Sequence, residues 1–257
     1  MVPITSLTLA HKASSDRIST GIPALNEMME GKGFFRGSSV LVSGTAGTGK
    51  SSLAATFTGA ACARGEHCLY FAFEESPSQI LRNMRSVGIH LELWVKKGLL
   101  HFHAMRPTSI GLEGHLAAIH KMIEKLRPSV VVIDPITNLV SPAGTYDVKS
   151  MLMRLVDFLK VEQVTSMFTN LTFAGDPQAR TAAAVSSLMD TWIVLRDSKH
   201  AGRSRRELYV LKSRGMAHSR EPRELIVSER GIELGGLLTD YSSATTVAGA
   251  STVVASE

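Results

Sequence analysis

Cysteine is nearly missing from this chain: Cys62 and Cys68 are the only two in 257 residues. They lack C-x-x-C spacing, and a single pair cannot supply a disulfide framework, so both read as buried or inert thiols in a reducing cytoplasm. Also absent is any apolar run near the roughly 20 residues that a membrane helix needs. The N-terminus lacks the charged-then-apolar pattern of a secretory signal. Charge of one sign is not in large excess either: the net charge of +5 is explained by solvated basic side chains and does not by itself require a nucleic-acid partner. What remains is a chain with 44% apolar residues, long enough for one large α/β core.

The octapeptide Gly44-Thr45-Ala46-Gly47-Thr48-Gly49-Lys50-Ser51 fits the phosphate-loop pattern G-x-x-x-x-G-K-[ST]. It follows an apolar segment at 38–43 that reads as a buried strand, and it precedes a segment that reads as an amphipathic helix to about Ala63. Glycines at 44, 47 and 49 let the backbone curl until successive N–H groups face one centre, where the helix N-terminus adds partial positive charge. Residues Thr45, Ala46, Gly47, Thr48, Gly49, Lys50, Ser51 and Ser52 are therefore expected to cradle a nucleotide. Lys50 would reach the outer phosphates and Ser51 would complete the shell of a magnesium ion.

Strand and helix patterns alternate beyond this point. Strands are expected at 68–73, 99–103, 130–133 and 164–170, and helices at 77–86, 112–126 and 150–161. Val130-Val131-Val132-Ile133 is the continuous β-branched run of a strand buried on both faces. That order predicts an α/β fold with a mainly parallel twisted sheet. Near the C-terminus, 192–195, 207–212 and 224–227 follow one another without intervening helices and predict antiparallel edge strands. Residues 1–16 read as a linker-like entry, 17–237 as the domain, and 238–257, poor in large apolar groups, as a mobile or partner-docking tail.

Asp134 ends the β-branched run at the carboxyl edge of the sheet, where open α/β sheets bind ligands. Joined to a phosphate loop, it reads as the Walker-B carboxylate that faces magnesium through its water shell. Glu74 and Glu75 follow the second strand at the same edge. Phosphoryl chemistry needs a carboxylate to orient the attacking oxygen and take its proton, although such a pair also suits the start of a helix at Pro77. Ser51, Glu74 and Asp134 make up the set expected around the metal.

Three further segments carry a resemblance: Gly33-Phe34-Phe35-Arg36-Gly37, Phe73-Glu74-Glu75-Ser76 and Lys212-Ser213-Arg214-Gly215. With the phosphate loop they resemble KaiC, the circadian-clock ATPase and autokinase family of the RecA-like superfamily, over most of the chain to about Leu234. KaiC proteins carry two tandem lobes, and this chain looks like the second alone, with Pro3-Ile4-Thr5-Ser6-Leu7 similar to the connector between lobes. The resemblance implies ATP and Mg2+ as cofactors, a homo-oligomeric, hexameric ring, and a KaiB-type regulatory partner. It implies Glu74 as base with Glu75 in support, and Ser186, Ser187 and Thr181 as phosphorylated hydroxyls before the strand that starts Asp190-Thr191. Lys212 and Arg214 would approach the phosphate bound by a neighbouring subunit, with Arg206 and His218 near the base and sugar. Two departures stand out: the adjacent acceptors are Ser-Ser rather than Ser-Thr, and Val87 replaces an aromatic after the helix that follows the carboxylates. A different reading is a RecA-like DNA-binding ATPase using the basic run from Lys199 to Arg206. A third is a scaffold in which nucleotide only cements the ring.

Overall fold

A computed structural model describes residues 13–139, 145–172, 185–200 and 203–238. A short two-stranded entry comes first: β1 (Arg17–Ile18) pairs antiparallel with β2 (Phe34–Phe35), with α1 (Pro23–Glu27) between them. Gly33 has no room for a side chain, since a Cβ there would lie 2.2 Å from the Ile18 carbonyl oxygen. The glycine of the Gly-Phe-Phe-Arg-Gly signature is thus demanded by this close strand contact.

The main body runs β3 (Ser39–Gly44), α2 (Lys50–Ala63), β4 (Cys68–Ala72), α3 (Pro77–Ser86), α4 (Glu92–Lys96), β5 (Leu100–Ala104), α5 (Leu112–Leu126), β6 (Val130–Asp134), α6 (Thr145–Val161) and β7 (Thr165–Leu171). It continues as β8 (Thr191–His200), β9 (Arg203–Ser213), β10 (Arg223–Ser228) and β11 (Gly231–Leu237). Nine of these strands form one sheet in the order β11-β10-β9-β8-β3-β7-β6-β4-β5. From β8 to β5 all neighbours are parallel, and β9, β10 and β11 add antiparallel pairs at one side. The α/β class and the antiparallel C-terminal strands agree with the sequence reading.

Period-two alternation divides each central strand between two apolar layers. Val40 and Val42 of β3 pack with α2, and Leu41 packs with residues of α5 and α6. The helix after the phosphate loop departs from expectation. The spacing predicts an amphipathic helix, but Leu53, Ala54, Ala55, Phe57, Thr58, Ala61 and Cys62 are all buried, because Phe34 packs edge-on against Phe57, Gly21 lies against Ala60, and β10 and β11 also meet the helix. Leu225 and Ile232 from those strands join the same cluster. Both cysteines are free and buried. At α3 the sequence acts locally: the Ser76 hydroxyl accepts the Gln79 N–H, the Gln79 side-chain oxygen accepts the Ser76 N–H in return, and Pro77 starts the helix.

Several bounds shift. The last helix starts at Thr145 rather than 150, and β8 and β9 extend to a hairpin of ten and eleven residues. Strands β1, β2 and β11 and helices α1 and α4 carried too short or too glycine-rich a pattern to be recognised. Residues 1–12 and the tail beyond Leu238 fall outside the described residues.

Asp190 ties the start of β8 to the start of β3. Its Oδ2 accepts both the Ser39 N–H and hydroxyl at 2.9 Å, its Oδ1 accepts Lys160 Nζ of α6 at 2.9 Å, and its own N–H donates to Ser39 O at 2.9 Å. Removing the carboxylate strands a half-buried ammonium and an amide together. Asp190→Ala should therefore lower the unfolding free energy by about 2–4 kcal/mol, read as a shift in urea midpoint at unchanged slope.

Candidate nucleotide-binding site

The phosphate loop joins β3 to α2 at the carboxyl edge of the sheet. Gly47 and Gly49 take φ of +79° and +102°, the left-handed region that a side chain resists. Gly44 is different. Its φ is not positive, and glycine is required there because a Cβ would sit 2.4 Å from Leu195 O and 2.8 Å from Thr48 Oγ1. The loop's curl thus comes from two glycines, and its tight seating on β8 from the third. Gly49 caps α2 without a side-chain partner and the first turn carries no acid, so the free N–H groups at this helix start remain available to an anion.

Lys50 is buried, and its Nζ donates to Thr45 O at 2.7 Å. Burial pulls its pKa below the usual lysine range, while Asp134 and Glu74 act in the opposite sense. A cavity of about 420 Å³ opens on the loop, with Lys50, Ser51, Ser52, Glu74 and Asp134 in its wall. Those groups were singled out separately in the sequence, and the fold brings them together. Glu75 stands back: it lines an adjoining cavity of about 150 Å³ with Ser51 and Met84, and its Oε1 accepts Asn83 Nδ2 at 3.2 Å. Glu74 Oε1 accepts Asn138 Nδ2 at 3.0 Å.

Sequence reading missed how Asp134 is held. Tyr70 Oη donates to Asp134 Oδ2 at 2.5 Å, and the Thr169 hydroxyl donates to Asp134 Oδ1. Tyr70 is fully buried, and burial plus the adjacent Asp134 charge hold its phenol well above the usual range, so it stays a neutral donor. The available signal was the lone phenol of Tyr70 in the otherwise apolar β4; Thr169 was not distinguished from the other polar residues of β7. The oxygen donors around the cavity fit magnesium: one hydroxyl and two carboxylates are hard ligands, too few for an all-protein cage. Among the described residues no cluster of three or more His, Cys, Asp or Glu could hold a metal. An ion here would be shared with phosphates and waters.

The second group of expected residues lies at the other edge. The parallel register sets Val40 beside Thr191 and Gly44 beside Leu195. The turn before Thr191, with buried Ser186 and exposed Ser187, is therefore a full strand length from the phosphate loop, roughly 17 Å at about 3.3 Å per residue. Lys212 Nζ donates to Ser186 O at 2.6 Å and Arg214 Nη2 to Ser187 O at 2.7 Å, so both cations sit on that turn. Burial and the Arg214 charge lower the Lys212 pKa. Thr181 lies outside the described residues.

Arg206 and His218 are not brought together. Arg206 pairs with Asp197 on the hairpin, level with the phosphate-loop edge, whereas His218 follows β9 beside residues that contact Met28 at the far edge. In the basic hairpin, Arg205 is paired with Glu224 at 2.5 Å and Arg196 with Glu207 at 2.6 Å. Val87, at the end of α3, packs on the core. No helix among the described residues is long and apolar enough to cross a membrane.

The sequence profile of the family described as "ATPase: KaiC" matches residues 18–238. Among curated proteins, the "Circadian clock protein KaiC2" of Synechocystis sp. is 49% identical over 236 residues, covering 91% of this chain and 42% of that protein. The "Circadian clock oscillator protein KaiC" of Thermostichus vulcanus is 36% identical over 234 residues, covering 90% of this chain and 45% of its own length. The "Circadian clock protein KaiC3" of Synechocystis sp. is 33% identical over 237 residues, covering 91% and 46%. The chain thus spans about half the length of the curated relatives it matches.

The geometry of Lys50 separates binding from stability. A buried ammonium with a lowered pKa burdens the folded state, and stability rises as pH climbs through that lowered value because the unfolded chain holds the extra proton. Lys50→Met should weaken ADP binding about 10- to 100-fold in calorimetry, since it removes a charge-assisted phosphate contact, while the melting temperature of the ligand-free protein does not fall.

Proposed function

The chain belongs to the KaiC family of ATPases, and we propose that it is an ATP-dependent serine autokinase with weak ATPase activity that phosphorylates its own kind across subunit interfaces. The observation that carries this reading is the separation of two half-sites. The phosphate cradle and Glu74 lie at one edge of the sheet, and the serine turn with Lys212 and Arg214 lies at the other. Attack on phosphorus needs the nucleophile about 3–3.5 Å away, so a serine roughly one strand length distant cannot reach its own chain's nucleotide. Stacking one subunit's far edge on its neighbour's phosphate-loop edge brings the halves together.

In the proposed reaction, Ser186 or Ser187 of one subunit enters the cavity beside Glu74 of the next. The serine oxygen forms a bond to the terminal phosphorus, the bridging P–O bond breaks, and ADP leaves with that electron pair. Glu74 takes the serine proton, with Asn138 fixing its orientation and Glu75 behind it. Lys50 neutralises the phosphates from within the chain, and Lys212 and Arg214 do so from the neighbour. Magnesium, when bound, would offset charge on the outer phosphates, with Ser51, Glu74 and Asp134 as the groups facing its shell. Water in place of serine gives slow hydrolysis.

A hexameric ring, a KaiB-type partner, a cytoplasmic setting and a part in circadian or stress signalling belong to the same proposal. The circadian part is supported by the names of the relatives. We take 17–237 as the ATPase-kinase unit, with Arg206 and His218 as base and sugar contacts from different subunits and Thr181 as a further acceptor. The ion pair that engages Arg205, within the basic run from Lys199 to Arg206, favours this over a DNA-binding reading.

Transfer between subunits has a direct test. One variant carries Glu74→Gln and intact serines, and another carries Ser186→Ala and Ser187→Ala with Glu74 intact. Mass spectrometry after incubation with Mg-ATP should find phosphate on residues 181–187 of the Glu74→Gln chain only when the two are co-assembled. Phosphate on that chain when it is incubated alone would refute the proposed base and its action on the neighbour.

A further inference from the structure

Asp134 is the last residue of β6, which lies between β7 and β4. Each flanking strand delivers one hydroxyl to it. Ile133 is paired with Phe168, so Thr169 of β7 stands directly across from Asp134. On the other side Ala72 is the direct partner, and Tyr70, two residues earlier and on the same face, reaches diagonally along the strand with its ring. The ring is fixed by burial and by Phe102, whose centroid lies 5.3 Å away. Each carboxylate oxygen receives one donor, which leaves one lone-pair direction on each for another partner.

Lys50 supplies the contrast. Asp134 is close enough to raise the lysine's affinity for its proton, yet Lys50 Nζ rests on Thr45 O at 2.7 Å. No Lys50–Asp134 ion pair forms among the described residues. A carboxylate without its two hydroxyl partners would be drawn onto that ammonium, joining the groups meant for the metal and the phosphates.

We propose that Tyr70 and Thr169 form a clasp that positions Asp134, holding it off Lys50 and presenting its remaining lone pairs to the water shell of a magnesium ion. They are positioning residues and touch neither nucleotide nor metal. The inference rests on the reading that Asp134 faces magnesium, and it does not depend on phosphoryl transfer or on ring assembly.

The test is equilibrium binding of a fluorescent ADP, first in EDTA and then titrated with Mg2+. In Tyr70→Phe, which removes one oxygen and keeps the ring, the Mg2+ concentration giving half of the metal-dependent gain in affinity should rise about tenfold. Thr169→Val should act in the same direction, and Thr169→Ser, which keeps the hydroxyl, should restore the wild-type value. A purely structural role would lower the melting temperature without moving the Mg2+ requirement. If folded Tyr70→Phe shows the wild-type Mg2+ requirement, the clasp is refuted; if that variant does not fold, Thr169→Val against Thr169→Ser decides in the same way. Should Mg2+ leave ADP affinity unchanged in the wild-type protein, the role given to Asp134 fails first, and the clasp's role toward the metal fails with it.

Discussion

The parallel pairing of β3 with β7 on one side and β8 on the other is the constraint on which the rest depends. It sends every central strand in one direction, so the sheet has a carboxyl edge with the phosphate loop, Glu74 and Asp134, and an amino edge with the serine turn and its two cations. Asp190 maintains this polarity, bonding the first residues of β8 to β3 and α6. An antiparallel β8 would have put the serines beside the phosphate loop of their own chain. The proposed dependence on a neighbour is thus a consequence of strand direction.

Charge in the nucleotide cavity is arranged by the same logic. Lys50 is held at a desolvation cost that Asp134 and Glu74 partly offset, and the two carboxylates are restrained by neutral donors rather than by the lysine. Groups that would collapse onto one another in a flexible pocket are kept apart by side chains fixed to β4, β7 and the turn that follows β6. Preorganisation of this kind lets polar groups meet a charged ligand without first giving up bonds to each other.

Much of this was legible in the chain. The phosphate loop, the β-branched run ending at Asp134 and the carboxylate pair at 74 and 75 each have a local pattern with a physical reason, and the fold gathers Lys50, Ser51, Glu74 and Asp134 around one cavity. The burial of α2 was not legible, because it needs both the entry segment around Phe34 and strands β10 and β11, more than a hundred residues away, to close on the same helix. Gly44 looked like part of the curl, and only its distance to Leu195 O shows that it is needed for close packing. Tyr70 and Thr169 escaped because their role exists only once β4, β6 and β7 lie side by side. Arg206 and His218 matched a pattern in sequence, yet a single chain holds them at different edges.

The most direct measurement is a structure of the assembled protein with magnesium and a non-hydrolysable ATP analogue. The account predicts that the terminal phosphate held by Lys50 is met by Lys212 and Arg214 of the adjoining subunit, with that subunit's Ser186–Ser187 turn beside it. A terminal phosphate facing solvent, or one approached only by groups of its own chain, would contradict it.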